Sequence, residues 1–385
     1  MTTSCGSDVQ KAGGASCCGT TPIRLEPRTR GPVRVHWTDG VVATAVGDVP
    51  RARTRLGLRD HAGTLMVRSG FGRSRYRVSP GLYAVGSPTG ASPVLLSANY
   101  KLSFDHLRSV LGGRDAWILV LDTQGINVWC AAGKGTFGTA EVVRRVRSCA
   151  LSRLVTHHKI VAPQLGAPGV AAHEVRQATG FHVVYGPVRA RDLPAFLDAR
   201  MTAEPDMRKV RFRLADRLLL IPVELTMGVR LAVPVAAALL LLGGLGPRGF
   251  SLAGLATTGA TSAGLAVASY LTAQVLGPVL LPWLPGRAFS LKGAALGLAL
   301  VAALAAYGLA GPGLFVSWVH LAAWLALAPA IASFTLMNFT GASTYTSLSG
   351  VLREMRFAVP AQISAGAIGL VLWLAGLFVA GGPAR

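Results

Sequence analysis

The stretch "AWILVLDTQGINVWCAAGKGTFGTAEVVRRVRSCAL", Ala116–Leu151, decides the fold. Its opening run, Ala116–Thr123, is continuously apolar until it meets Asp-Thr, as in a strand covered on both faces within a parallel sheet. From Ala140 the apolar residues recur at helical spacing. Between strand and helix lies Gly125–Thr139, rich in glycine and carrying Trp129 beside Cys130. Outward from it, "PVLLSANY" predicts a strand and "SFDHLRSVLGG" a short helix capped by Ser103. Beyond it, "RLVTHHKIVAP" predicts a strand containing His157 and His158, and "GVAAHEVRQATG" a helix closed by Gly180. "FHVVYG" then reads as a strand and "ARDLPAFLDARM" as a helix. This alternation predicts a doubly wound α/β sheet with right-handed crossovers. Ligands of such sheets bind at the carboxyl ends of the strands. Thr123, Gly125, the Gly125–Thr139 loop, Gln164, Gly166, Gly186 and Pro187 are therefore expected along one edge.

The two halves of the chain differ in chemistry. Residues 218–385 carry nine charged side chains, among apolar runs that reach the roughly 20 residues a bilayer crossing requires. Spans are expected near 229–246, 251–285, 291–311, 313–334 and 359–381, an all-α membrane domain of five helices. The second is the least defined, interrupted by Pro278, Pro282 and Pro285. The first 217 residues hold 31 basic and 15 acidic side chains. Arg208, Lys209, Arg211, Arg213 and Arg217 cluster just before the first span, which favours anionic lipid headgroups over nucleic acid. No apolar signal segment precedes residue 217, so the first half is expected in the cytoplasm of an inner-membrane protein. Arg287, Lys292, Arg353 and Arg356 then fall in cytoplasmic loops, and five crossings put the C-terminus outside. Spans with so few polar groups argue against a transporter with a cytoplasmic regulatory domain.

Residues 1–30, small and polar, read as a disordered tail, and 31–90 as a small β-rich part. The five cysteines (Cys5, Cys17, Cys18, Cys130, Cys149) are odd in number and irregularly spaced, so free thiols are expected rather than a disulfide framework. Cys149, on an amphipathic helix, reads as core.

Gly133-Lys134-Gly135-Thr136 superficially suggests a phosphate loop, but that motif needs Gly where Val128 stands and Ser or Thr where Gly135 stands. Gly133, Gly135 and Gly138 satisfy a dinucleotide fingerprint formally, yet ten residues separate it from its strand. A cysteine nucleophile lacks a histidine partner in context, since His157, His158 and His173 lie in other elements. Asn127–Lys134 instead reads as a capping helix, with Asn127 as N-cap, Val128–Ala132 helical and Gly133 ending it. Cys130 then sits on the first turn, where thiolate, the form that binds a soft metal, is favoured. The small residues Ala131, Ala132 and Gly133 allow something large and flat to approach, and Trp129 packs against it or fills core.

"NVWCAAGK" resembles the signature of the HgcA family, the membrane-anchored corrinoid proteins of anaerobic mercury methylation. The likeness extends over "SPVLLSANYKLSFDHLR", "AWILVLDTQGINVWCAAGKGTFGTAE", "KIVAPQLGAPGVAAHEV" and "VVYGPVRARDLPAFL", and the soluble-then-five-span layout is similar too. Residues 91–217 are also similar to the corrinoid domain of the corrinoid iron–sulfur protein, which lacks the cysteine of the capping helix. The resemblance implies a Rossmann-like domain holding a base-off cobamide, a cobalamin-like corrinoid, with Cys130 as lower axial ligand of cobalt. Asn127, Val128, Trp129, Ala131, Ala132, Gly133 and Lys134 would surround it. The chain has no D-x-H-x-x-G motif, the usual source of a histidine ligand. A thiolate opposite the methyl group would give it carbanion character, suited to Hg(II), and would leave cobalt needing two electrons. With no iron–sulfur cysteine spacing here, the resemblance implies an HgcB-like ferredoxin as reductant and a methyltetrahydrofolate-type donor acting through a separate methyltransferase. A carrier delivering methyl groups to another acceptor of one-carbon metabolism is the alternative. Asn338–Met355, polar beside a span, is a candidate dock for the corrinoid domain.

Overall fold

The computed structural model describes residues 35–73, 75–310, 314–315, 317–339 and 348–379. Residues 1–30, with Cys5, Cys17 and Cys18, and residues 340–347 of the Asn338–Met355 stretch lie outside the described residues.

The α/β half is built on β1 (Thr38–Val42), β2 (Val49–Ala52), β3 (Gly81–Val85), β4 (Val94–Ala98), β5 (Ala116–Leu121), β6 (Lys159–Ala162) and β7 (His182–Tyr185). They form one mixed sheet in the order β1-β2-β3-β5-β4-β6-β7. β5, β4, β6 and β7 run parallel, whereas β3 joins β5 antiparallel. Six helices accompany it: α1 (Leu58–Arg68), α2 (Lys101–Ser109), α3 (Val128–Gly133), α4 (Thr139–Ser148), α5 (Ala172–Thr179) and α6 (Leu193–Asp198). Because side chains alternate along a strand, the apolar run of β5 feeds both faces. Ile118 and Val120 meet Phe104 beside α2 and α6, while Leu119 and Leu121 meet Ala131, Val142 and Val175 of α3, α4 and α5. Each such fully buried side chain contributes about 1.5–3 kcal/mol by leaving water. The sheet is thus covered on both sides.

Several sequence expectations are corrected. Residues 38–85, within the stretch expected to be a small β-rich part, add three strands to the same sheet, and the pattern there did not reveal the 11-residue helix α1. Ser103 does not cap α2, which begins at Lys101 after Tyr100 because the Lys101 N–H already bonds Tyr76 O and its ammonium is drawn into a buried ion cluster. His157 and His158 precede β6 in a turn held by a contact of His157 Nε2 with Ser92 O at 2.9 Å. Cys149 is the C-cap of α4, half-buried against the core, not a helical position.

Five helices are long and apolar enough to cross a membrane: α7 (Leu214–Leu242), α8 (Leu252–Leu280), α9 (Phe289–Leu309), α10 (Trp318–Asn338) and α11 (Gly350–Phe378). α7 starts fifteen residues before the expected first span and α11 nine residues before the fifth. Arg353, Glu354 and Arg356 are therefore helical rather than in a loop, and Glu354 Oε1 accepts the Ser290 N–H at 2.6 Å, at the start of α9. The α9–α10 contact is close because Gly293 and Gly297 lie where a Cβ would fall 2.4 Å from Ala332 O and 2.6 Å from Ala328 O. At the proline-broken end of α8, Arg217 Nη1 donates to Pro278 O (2.7 Å) and Val279 O (2.9 Å), and Lys292 Nζ to Leu281 O and Leu284 O. These cations satisfy carbonyls that the helix end leaves open.

Candidate functional site

Beyond Leu121 the chain turns sharply, with Gln124 at φ +59° and Gly125 at φ +75°. Asn99, buried just past the carboxyl end of β4, holds that turn. Its Oδ1 accepts the N–H groups of Thr123 (3.1 Å) and Gly125 (2.8 Å) and lies 2.9 Å from Thr123 Oγ1. Its Nδ2 donates to Asp122 Oδ1 at 3.1 Å. Thr123 and Gly125 are thus buried in the turn, where they set the direction of the next helix rather than lining a cavity.

The turn launches α3. Asn127 caps it, its Oδ1 accepting the Cys130 N–H at 2.9 Å. Ala131 and Ala132 face inward onto the 3-10 turn Gln164–Gly169 that succeeds β6, with Phe137 folded beneath. The approach is so close that a Cβ on Gly169 would fall 2.2 Å from Phe137 O, and one on Gly166 2.5 Å from the Phe137 ring. Gly166 is therefore a packing residue. Gln164 is also turned away, its Oε1 accepting from Arg208 Nη1. Gly133 and Lys134 are exposed at the helix end, where Lys134 N–H bonds Cys130 O.

Two cavities flank α3. β4 pairs with β6 only at Val94 and Leu95, although it stays paired with β5 through Ala98, so the strands separate toward their carboxyl ends. Chain order reverses here, β5 lying on one side of β4 and β6 on the other. The gap opens a cavity of about 640 Å³ lined by Ser97, Val128, Trp129, Gly186 and Pro187, with Arg68 and His106 at its side. This is the crevice that a topological switch point creates. His106 is held below the ordinary histidine value, first by burial and then by the Arg68 guanidinium, 3.5 Å away, against the opposing charge of Asp105. The second cavity, about 650 Å³, shares Asn127 and Trp129 with the first and has Cys130 in its wall. Apart from Arg73, which follows α1, its remaining wall is membrane domain, including Glu224 and Gly228 of α7, Tyr270 and Gln274 of α8, and Thr335 and Asn338 of α10. An Arg189–Asp216 ion pair at 2.7 Å ties the carboxyl edge of the sheet to α7. Cys130, Trp129 and Asn127 thus converge with residues that sequence order places more than ninety positions away.

Beneath α2 lies a cluster that sequence reasoning missed. Asp60, Lys101, Asp105 and Arg108 are all buried. Lys101 Nζ reaches Asp60 Oδ1 and Asp105 Oδ2 at 2.7 Å, and Arg108 reaches Asp105 Oδ1 at 2.7 Å and Asp60 Oδ2 at 2.8 Å. Burial pushes the Asp60 carboxyl upward, but hydrogen bonds from Lys101, the Gly57 N–H and Arg108 outweigh it and hold Asp60 well below the usual carboxylate range. The only sequence signal was Lys101-x-x-x-Asp105-x-x-Arg108 at helical spacing; Asp60 comes from another helix.

Residues 72–197 match a known family. Its description is CdhD, the CO dehydrogenase/acetyl-CoA synthase delta subunit. Among curated proteins, the chain is 34% identical over 129 residues to the acetyl-CoA decarbonylase/synthase complex subunit gamma of Methanopyrus kandleri, and 30% over 128 residues to that of Archaeoglobus fulgidus. It is 26% identical over 129 residues to the corrinoid/iron-sulfur protein large subunit of Moorella thermoacetica. Each alignment covers 33% of this chain, and the chain spans about a quarter of each relative, 27% of the first two and 28% of the third. The matched range runs from the loop after α1 into α6, spans α3, and stops before the membrane helices. The α/β half is accordingly similar to a corrinoid-protein domain.

Among the described residues, no three His, Cys, Asp or Glu side chains are grouped to share a metal ion. Cys130 is the thiol in its cavity wall, which the Met227 thioether of α7 also lines.

Proposed function

We propose that this protein is a membrane-anchored corrinoid-dependent methyltransferase that transfers a methyl group to Hg(II), forming methylmercury, with Cys130 as the axial thiolate. The observation that carries the reading is the position of Cys130: on a capped helix at the carboxyl edge of a sheet whose sequence is similar to corrinoid/iron-sulfur proteins, in a cavity wall. A lone thiolate suits a metal whose equatorial ligands come from a macrocycle. When bound, the corrinoid supplies a cobalt that accepts and releases a methyl group. The chain's part is geometric. The Asn127 cap fixes the turn bearing Cys130, Ala131 and Ala132 seat α3 without bulk, and Val128 and Trp129 offer apolar surface to a ring. Lys134 and Gly133 border the helix end. The apolar and basic crevice beside them, with Gly186, Pro187 and Arg68, fits the base-off nucleotide tail of the cofactor. Electrons would come from an HgcB-like ferredoxin and the methyl group from a methyltetrahydrofolate-type donor through a methyltransferase. The α/β half would lie on the cytoplasmic side of the inner membrane, with the C-terminus outside.

The relatives' names favour a second reading, a membrane-anchored carrier delivering methyl groups to another acceptor in one-carbon metabolism. Purified full-length protein reconstituted with hydroxocobalamin separates the possibilities. The expected result is a corrinoid spectrum that shifts in Cys130→Ala, and methylmercury from Hg(II) in cells carrying the gene with its ferredoxin partner, reduced at least 100-fold in that variant. Corrinoid binding without methylmercury selects the carrier. An identical spectrum in Cys130→Ala removes the thiolate role.

A further inference from the structure

The cavity that holds Cys130 is only half built by the α/β domain. Arg73, Asn127, Trp129 and Cys130 make one wall, and α7, α8 and α10 make the other. On the α/β side the polar atom nearest the helix start is already used, since Asn127 Oδ1 accepts the Cys130 N–H. On the membrane side it is not. Gln274 is 3% exposed and lines the cavity, yet its Oε1 has no hydrogen-bond partner among the described residues. The orientation of the amide is set by its other end, where Nε2 donates to Glu224 O at 3.2 Å. Gln274 therefore presents an acceptor, not a donor. Of the five buried side-chain atoms without a partner among the described residues, Gln274 Oε1 is the one in this cavity; those of Arg108, Arg217, His320 and Gln362 lie elsewhere. A buried acceptor left unmade costs its full desolvation, so a ligand group that satisfies it gains unusually much.

The rest of the wall states what kind of ligand that is. Most of it is apolar, with Gly228 packed so closely on Tyr270 that a Cβ there would fall 2.7 Å from the ring. Glu224 adds a second acceptor beside Gln274, and the Arg73 guanidinium lines the same cavity as a donor. The cavity therefore fits a large body with apolar faces whose rim carries hydrogen-bond donors. A corrin ring is such a body, because its edge carries primary carboxamides, each with two N–H donors.

We infer that the membrane domain is the second wall of the corrinoid site, with Gln274 and Glu224 binding the peripheral carboxamides of a ring that Cys130 meets from the other side. The inference rests on the corrinoid reading of Cys130 and adds to it a binding role for two spans. It also accounts for the fusion of an α/β domain to a bundle poor in polar side chains: the bundle contributes a wall, not a conduit.

The test uses full-length protein in detergent micelles and two probes, cobinamide and its counterpart in which the rim carboxamides are replaced by methyl esters. Esters accept hydrogen bonds but cannot donate them. Wild type should bind cobinamide about tenfold more tightly than the ester, the worth of one buried hydrogen bond. Gln274→Met should lose that preference while binding the ester unchanged, and its melting temperature without corrinoid should change little, since loss of the Nε2 bond to Glu224 O is offset by removal of the unpartnered Oε1. Glu224→Gln should keep part of the preference. Equal affinity of wild type for both probes would overturn the inference, and because it uses no variant, misfolding cannot produce it. Unchanged preference in Gln274→Met would also overturn the role of Gln274. If wild type binds neither probe, the corrinoid reading itself fails, which is a distinguishable result.

Discussion

The two walls of the Cys130 cavity treat polar groups in opposite ways. On the α/β side Asn127 Oδ1 is taken up by the Cys130 N–H, and behind it Asn99 is hydrogen-bonded to Asp122 and Thr123, which holds the turn. On the membrane side Gln274 Oε1 is buried in the cavity wall with no partner among the described residues, and three more such atoms, on Arg217, His320 and Gln362, lie elsewhere in the membrane half. The remaining one, Arg108 Nη2, sits 2.8 Å from Asp60 Oδ2 in an ion pair. A wall whose groups satisfy one another positions; a wall with an open acceptor receives. The difference assigns the α/β half to placing Cys130 and the membrane half to gripping the ligand that Cys130 meets.

Five substitutions test that contrast, and the largest effect should come from the cluster that supports α2. Asp60→Ala leaves Lys101 and Arg108 short of a buried counter-charge and should cost about 3–5 kcal/mol in chemical denaturation. Asp60 also predicts a pH dependence. Its carboxyl is held below its unfolded value, so its contribution is complete above about pH 5 and is lost as pH falls through the carboxylate range. A wild-type protein whose melting temperature is flat between about pH 6 and pH 3 would contradict this.

Asn99→Ala takes the acceptor from the N–H groups of Thr123 and Gly125, at a cost of about 2–3 kcal/mol, and should weaken corrinoid binding although Asn99 lines neither cavity. Gly169→Ala forces a methyl against Phe137 O and the Ala132 backbone, costing about 1–3 kcal/mol and shifting α3 outward. Altered Trp129 fluorescence would report that shift, and an unchanged spectrum would speak against it. Asn127→Ala removes one cap, about 1 kcal/mol, and should change the corrinoid spectrum more than the stability. Gln274→Met should have the smallest effect, within about 0.5 kcal/mol, because removing the unpartnered Oε1 offsets the loss of the long Nε2 bond to Glu224 O. A clear loss of stability there would place Gln274 with the positioning residues and erase the contrast.

Much of the α/β half was legible because its signals are local. The apolar run of β5, the Asn127 cap and Gly180 at φ +79° each act within a few residues of themselves, so spacing and residue type reveal them. Ser103 misled because a hydroxyl before a helical pattern looks like a cap, whereas the helix start was set by Lys101 reaching Asp60, forty-one residues upstream. The ligand-edge residues divided for the same reason. Gly186 and Pro187 line the crevice, but Gly166 and Gln164, equally well placed by topology, are committed to Phe137 and Arg208. The early start of α7 and α11 was hidden by charge. Glu224 and Glu354 look like boundary residues until their helices are seen packed, Glu224 lining the interface cavity and Glu354 bonding the start of α9.

Sequence by itself determined that strands and helices alternate before five apolar helices, and that a lone cysteine comes after an N-cap at the ligand edge, since both result from hydrophobic period and capping chemistry. Only the tertiary structure decided where Cys130 faces. The splaying of β4 from β6, the fit of Ala131 and Ala132 onto the Gln164–Gly169 turn, and the Arg189–Asp216 tie each depend on contacts between distant residues. Together they bring Cys130 against the helical bundle, into one cavity with Gln274, where no periodicity could have put it.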